Sequence, residues 1–387
     1  MPFIEELIKY KSCSIVGLEK NTGKTECFNY VMQRLPLDKI RVAVSSIGID
    51  GETTDQVTKT AKPEIFLREG VYFGTSEKHY LTKLLTSELL EISDENTSLG
   101  NIVIGKALTP GKLLLSGPSS TNGLRRWMNE MQKYDIDLTI IDGALSRLSL
   151  ASPAVSESMI LATGAAYSAN INTLVQKTAF VVQMINLELT SQENHDTFID
   201  INSGVWAIDE GTGNREQGTG NWEQGTGNGE HGMGNREQGT GNGEHGTGNG
   251  EHGTGNWEQE TGNEVNLVDL KVASSLSINI NTEGLKKCKT LYVSGALTDN
   301  FVNHIRQNKI FNETEIVVRD FTKIFLTPMT YNTFVNNKRK ITVLQKSKLI
   351  AVCVNPTSPN GIVLDSEKLC KTLSEAINLP VYDLKKV

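Results

Sequence analysis

The sequence predicts an α/β protein: a mainly parallel sheet flanked by helices over residues 1–205, then a second, smaller α/β domain over residues 266–387. Three observations carry that reading. Short apolar runs alternate with helical patterns through the first half, as strands joined by crossover helices require. Several runs are apolar on successive residues, the pattern of strands buried on both faces of a parallel sheet. A repeat tract, residues 206–265, then divides the chain and lacks the apolar side chains needed to join a core.

Taken in order, Ser12–Leu18 (SCSIVGL) reads as a buried strand and Lys24–Leu35 as the helix after it. Arg41–Ile47 (RVAVSSI) is a second strand, and Glu64–Phe73 holds two short strands around Glu69-Gly70. Ile102–Ile104 and Leu113–Ser116 are further strands, Gly123–Tyr134 is an amphipathic helix, and Leu138–Ile141 is a strand ending at Asp-Gly. Met159–Thr163 is a short apolar run before the long helix Asn172–Leu187. Beyond the repeats, Thr290–Ser294, Glu315–Val318 and Leu349–Val354 are strand-like, with a helix at Ser366–Ile377. No chemical constellation stands out in that last part.

From Gly211 the tract repeats every seven residues: GTGNREQ, GTGNWEQ, GTGNGEH and close variants. Seven is the coiled-coil period, but apolar a and d residues are missing and glycine opposes each helical turn. The composition predicts a disordered linker. The competing reading makes His231, His245 and His252 metal ligands. The tract also accounts for the acidity of the protein. Of the 387 residues, 38 are Lys or Arg and 45 are Asp or Glu, a formal net charge of −7. Residues 211–264 contain two Arg and nine Glu, so the rest is neutral on balance. There is no basic surplus for nucleic acid, and no run of 18 apolar residues for a membrane span. The opening MPFIEELIKYK is too acidic and too short in apolar residues for a secretory leader. Five cysteines without a CxxC spacing fit reduced thiols, and together these features predict a cytoplasmic protein.

The strongest motif is SIVGLEKNTGKT, Ser14 to Thr25. A buried strand runs into Gly17, then a loop, then Gly23-Lys24-Thr25 opening a helix. In a Walker A loop the backbone N–H groups and the helix N-terminus cradle phosphates, the lysine reaches the β- and γ-phosphates, and the hydroxyl binds Mg²⁺. On that pattern Gly17, Asn21, Thr22, Gly23, Lys24 and Thr25 bind ATP. The gap between the glycines is one residue longer than usual, since the standard first glycine falls on Leu18. Dethiobiotin-synthetase-like proteins have a comparable gap; the bare alternative is a chance GKT at a strand–helix turn. LTIIDG, Leu138–Gly143, has the Walker B form, with Asp142 placed to hold Mg²⁺, although an Asp-Gly after a strand also reads as an ordinary turn. IGIDGETTDQ brings Asp50, Glu52 and Asp55 to the end of the next strand, either near the metal or as a solvated turn. The expected metal ligands are thus Thr25, Asp142, Asp50 and Glu52, and the sheet is of P-loop type. Arg125, Arg126 and Arg147 are candidates for orienting the water that hydrolysis needs.

With these motifs the chain resembles the family of lysine 5,6-aminomutase reactivase subunits. The resemblance rests on SIVGLEKNTGKT, on SSIGIDGETTDQVT, and above all on IDGALSRLSLASPAVSESMILATGAA, Ile141–Ala166. It covers most of residues 10–190, and the heptapeptide tract reads as an insertion. The resemblance implies an ATP-dependent reactivating chaperone and possible ATPase, with a MutS-like ATPase subunit as partner. Its client would be lysine 5,6-aminomutase, the cobalamin- and PLP-dependent enzyme of lysine fermentation, whose adenosylcobalamin suffers damage. No DxHxxG cobalamin motif is present, so cobalamin would stay on the client. The rival readings are a dethiobiotin-synthetase-like ATP-dependent ligase and a degenerate P-loop scaffold.

Overall fold

The computed structural model describes residues 3–47, 65–144, 152–153, 155–209, 267–272, 280, 282, 285–336 and 339–386. The heptapeptide repeats, with their expected linker role and three histidines, lie outside the described residues.

A short α1 (Ile4–Leu7) leads into β1 (Ser12–Gly17), α2 (Lys24–Arg34) and β2 (Val42–Ser46). Every residue of β1 and β2 is buried, as their unbroken runs of small and apolar side chains require. β3 (Ile65–Leu67) and β4 (Tyr72–Ser76) flank the expected turn, where Gly70 takes φ 86°. After α3 (Glu77–Leu81) come the hairpin strands β5 (Ser87–Thr97) and β6 (Gly100–Ala107), then β7 (Gly111–Leu113). The expected strand Leu113–Ser116 is corrected: only Leu113 belongs to a strand. Beyond it the chain runs over β4, where the Ser116 hydroxyl contacts Thr75, Ser76 and the His79 ring.

α4 (Thr121–Met131) starts where Ser120 accepts a hydrogen bond from the Gly123 N–H, an N-cap. Its buried Leu124, Trp127 and Met131 recur at helical spacing, while Arg125 and Arg126 face outward. β8 (Leu138–Ala144), β9 (Ser158–Gly164), α5 (Ile171–Ile185), α6 (Gln192–Phe198) and β10 (Val205–Asp209) complete the first part. The remainder contains β11 (Leu267–Asp269), β12 (Cys288–Val293), β13 (Leu297–Thr298), α7 (Asp299–Gln307), β14 (Glu315–Val318) and β15 (Ile324–Phe325). Last come α8 (Pro328–Val335), β16 (Lys340–Val343), β17 (Lys348–Asn355), α9 (Ser366–Ile377) and β18 (Val381–Asp383).

Nine strands form one sheet in the order β18-β17-β9-β1-β8-β2-β4-β6-β5. Pairing is parallel from β18 to β4, and the β5–β6 hairpin closes one edge with antiparallel pairs. The α/β expectation of a large, mainly parallel sheet therefore holds. A second sheet, β11-β10-β12-β14-β16, is parallel across β12, β14 and β16.

The division of the chain is corrected. Residues 266–387 do not make a unit of their own: β17, α9 and β18 return to the first sheet beside β9, whereas β10, whose residues 206–209 fall within the tract expected to be a linker, pairs with β12. The reason is burial. Leu349–Val354 of β17 are buried throughout and need cover on both faces, which the interior of a nine-stranded sheet provides. One apolar core joins residues of both sheets, from Met159 and Leu161 through Leu291 and Ile316 to Val352, Leu369 and Leu373.

All five cysteines are free, four of them buried. Burial pushes the Cys13 and Cys288 thiols up to about 12. In the unfolded chain these groups ionise near pH 9, so the fold keeps protons there that the unfolded chain loses. Their stabilisation is complete below about pH 9 and is lost as pH rises toward 12. Thermal melts should show the midpoint falling between pH 9 and pH 11, and falling less in a Cys13→Ala, Cys288→Ala variant. An equal alkaline decline in both proteins would show that other groups govern it.

Candidate functional site

The loop between β1 and α2 is held at three points. Gly17 ends β1 where the chain folds back on itself: a Cβ there would lie 2.8 Å from the Thr22 hydroxyl oxygen. That hydroxyl donates to the Glu19 carbonyl at 2.8 Å, so the Thr22 side chain braces the loop from inside. Leu18, in place of the usual first glycine, is buried, and its N–H donates to the Ala162 carbonyl of β9 at 2.9 Å. The longer gap between the glycines is thus taken up by one residue tucked into the core.

Two residues of the loop take positive φ, Asn21 at 60° and Gly23 at 91°. Asparagine tolerates that region, and glycine enters it without a Cβ penalty. At Gly23 a Cβ would also meet the Asn355 Cβ at 2.9 Å. Gly23 is the N-cap of α2 and has no side chain with which to cap it. Gly23 thus leaves the helix N-terminus without a cap from its own side chain, and the positive end of the helix dipole there favours an anion.

Lys24 is the first residue of α2. Its Nζ lies 3.1 Å from both carboxylate oxygens of Asp142, with side-chain exposures of 17% and 10%. Asp142 pairs in register with Ile15 of β1 and Ser46 of β2, near the carboxyl ends of three adjacent strands. Ligands of open parallel sheets bind at such ends. The structure thus brings together residues expected from sequence to act together: Gly17, Asn21, Thr22, Gly23, Lys24 and Thr25 on the loop and first helical turn, and Asp142 opposite.

Asp50, Glu52, Asp55 and Arg147 lie outside the described residues. Arg126 is exposed and ion-paired with Glu95 of the edge strand β5, which draws it away from Lys24 and Asp142. Two residues are in place that sequence reasoning overlooked. Asn355, at the end of β17, donates from Nδ2 to the Asn21 carbonyl at 3.3 Å. Its own carbonyl accepts from the Ala165 N–H at 2.9 Å, where a Cβ on Gly164 could not fit. The signal was a polar residue ending a buried strand, VCVN, but nothing local assigns that strand to this sheet. Ser46 is 1% exposed, and its hydroxyl has no hydrogen-bond partner among the described residues.

Among the described residues no group of three or more His, Cys, Asp or Glu is placed to hold a metal ion. A cation beside Asp142 would have one carboxylate and hydroxyl oxygens such as that of Thr25. Hard oxygen donors with few carboxylates suit Mg²⁺, which completes its shell with phosphates and water. Among the described residues no helix is long and apolar enough to cross a membrane. Comparison with known proteins adds no further constraint: no family model, no curated protein and no solved structure matches the chain.

Proposed function

We propose that the chain binds ATP and Mg²⁺ through the Gly17–Thr25 loop and serves as one subunit of a reactivating chaperone for a cobalamin-dependent aminomutase. The observation that carries nucleotide binding is the Lys24–Asp142 pair, set across adjacent strand ends beside a glycine-opened helix N-terminus. Each partner has a ready alternative. With phosphate bound, Lys24 would exchange the carboxylate for β- and γ-phosphate oxygens, and Asp142 would then be free to hold Mg²⁺. Mg²⁺, when bound, neutralises charge on the phosphates. The loop N–H groups, Lys24 and Thr25 do the holding.

The chaperone role rests on the resemblance in residues 141–166 and is consistent with how that segment is anchored. Further along the connection from Asp142, the Ser152 hydroxyl donates to the buried Asp320 carboxylate at 2.7 Å, just beyond β14. Ser152 of that segment thereby contacts the second sheet, and such a contact is a route by which a change at the nucleotide could reach a protein client. The test is ATP turnover by the protein alone, with a MutS-like partner subunit, and with inactivated lysine 5,6-aminomutase added. Stimulation by the inactivated client supports the role. Turnover that requires a small carboxylic acid acceptor instead would make the protein a ligase of the dethiobiotin-synthetase kind.

Asp142 supplies a narrower prediction. Asp142→Asn should leave metal-free ATP affinity within about twofold while shrinking the gain that Mg²⁺ brings, as read by calorimetric titration with and without the metal. Equal Mg²⁺ dependence in both proteins would return Asp142 to the role of an ordinary turn residue.

A further inference from the structure

We propose that the Ser46 hydroxyl is a positioning group of this site, hydrogen-bonding the oxygen shell of the cation beside Asp142; this rests on the nucleotide-binding reading above. Parity along the sheet places it. Val44 is in register with Ile140, and Ser46 with Asp142. Residues two apart on a strand share a face. Val44, Ile140 and Ile15 pack in one cluster with Cys27, Phe28 and Val31 of α2. Ser46 and Asp142 therefore lie on the α2 face, the face from which Lys24 reaches Asp142. Ser45 points to the other face, and its hydroxyl already donates to the Gly74 carbonyl at 3.0 Å.

Among the described residues, none partners the Ser46 hydroxyl. It is buried, and no described side chain or backbone group bonds it. Behind it the backbone at Gly117 closes so tightly that a Cβ there would fall 1.6 Å from the Ser46 carbonyl oxygen. A buried, unpartnered hydroxyl opposes folding. At a strand end beside a carboxylate, it is matched when a hydrated cation or its phosphate ligand arrives.

The two roles a serine could play here predict opposite results for Ser46→Ala. A structural hydroxyl would lower stability when lost. A ligand-directed one leaves the melting temperature of the nucleotide-free protein unchanged or raised. Titration of the full chain with ATP, with and without Mg²⁺, should show metal-free affinity within about twofold of the parent and a Mg²⁺-dependent gain reduced about three- to tenfold. A lower melting temperature without nucleotide, or an undiminished Mg²⁺ gain while the parent binds Mg-ATP, would overturn the assignment of Ser46 alone. A parent protein that fails to bind Mg-ATP would instead remove the nucleotide reading itself, and this assignment with it.

Discussion

Lys24→Ala is expected to weaken ATP binding tenfold or more. On the proposed nucleotide-binding reading the variant loses a charge-assisted contact to phosphate, worth roughly 1.5–3 kcal/mol. The same substitution has a second effect that must be separated from the first. Asp142 is 8% exposed, and the substitution removes the ammonium that lies 3.1 Å from its carboxylate. Removing one member of a buried pair costs up to about 3–5 kcal/mol, because the remaining charge stays desolvated. The partial exposure of both side chains puts the expected cost at or below the lower end of that range. A double variant, Lys24→Ala with Asp142→Asn, removes the stranded charge. It should regain much of the lost melting temperature and none of the lost ATP affinity. Unchanged affinity in a folded Lys24→Ala protein would sink the proposed role of the loop.

The largest stability effect is expected at Trp127. Its side chain is fully buried between α4 and the sheet, among Ala43, Tyr72, Ile102, Ile104, Leu124 and Met131. Gly74 of β4 makes room for the indole: a Cβ there would lie 2.4 Å from Nε1. Truncation to alanine removes the ring and leaves a cavity that strand backbone cannot fill, at a cost of about 3–5 kcal/mol. Against a typical total of 5–15 kcal/mol, that is a large share. Urea denaturation of Trp127→Ala, followed by circular dichroism, should show the midpoint drop, with Trp127→Phe falling between variant and parent. A loss under about 1 kcal/mol would mean that α4 is held chiefly by other contacts.

Much of the site was legible because its signals are local. β1 is an unbroken run of small and apolar residues, Gly23-Lys24-Thr25 opens a helix, and the apolar residues of β8 lead to Asp142. Each is a pattern of neighbouring residues, and the structure puts all three near one end of the sheet. The β5–β6 hairpin was less legible: β5 carries Glu88, Glu91, Asp94 and Glu95 at a sheet edge, and its largely solvent-facing residues leave little apolar periodicity to read. Beyond Leu113 the expected strand at Leu113–Ser116 failed for the opposite reason, since the apolar Leu115 is buried in a covering segment without strand pairing.

The sequence by itself determined the parallel α/β character, the loop at residues 17–25, and the strand that presents Asp142, because strand burial and helix starts are set by adjacent residues. Only the tertiary structure decided which sheet each strand joins. β17 takes its place beside β9, and Asn355 thereby reaches Asn21 across 334 positions of sequence. Ser46, too, acquires its meaning only when β2 lies in register with β8. Strand partners are chosen by burial summed over whole faces and by hydrogen bonds between distant segments, and no short stretch of residues records that choice.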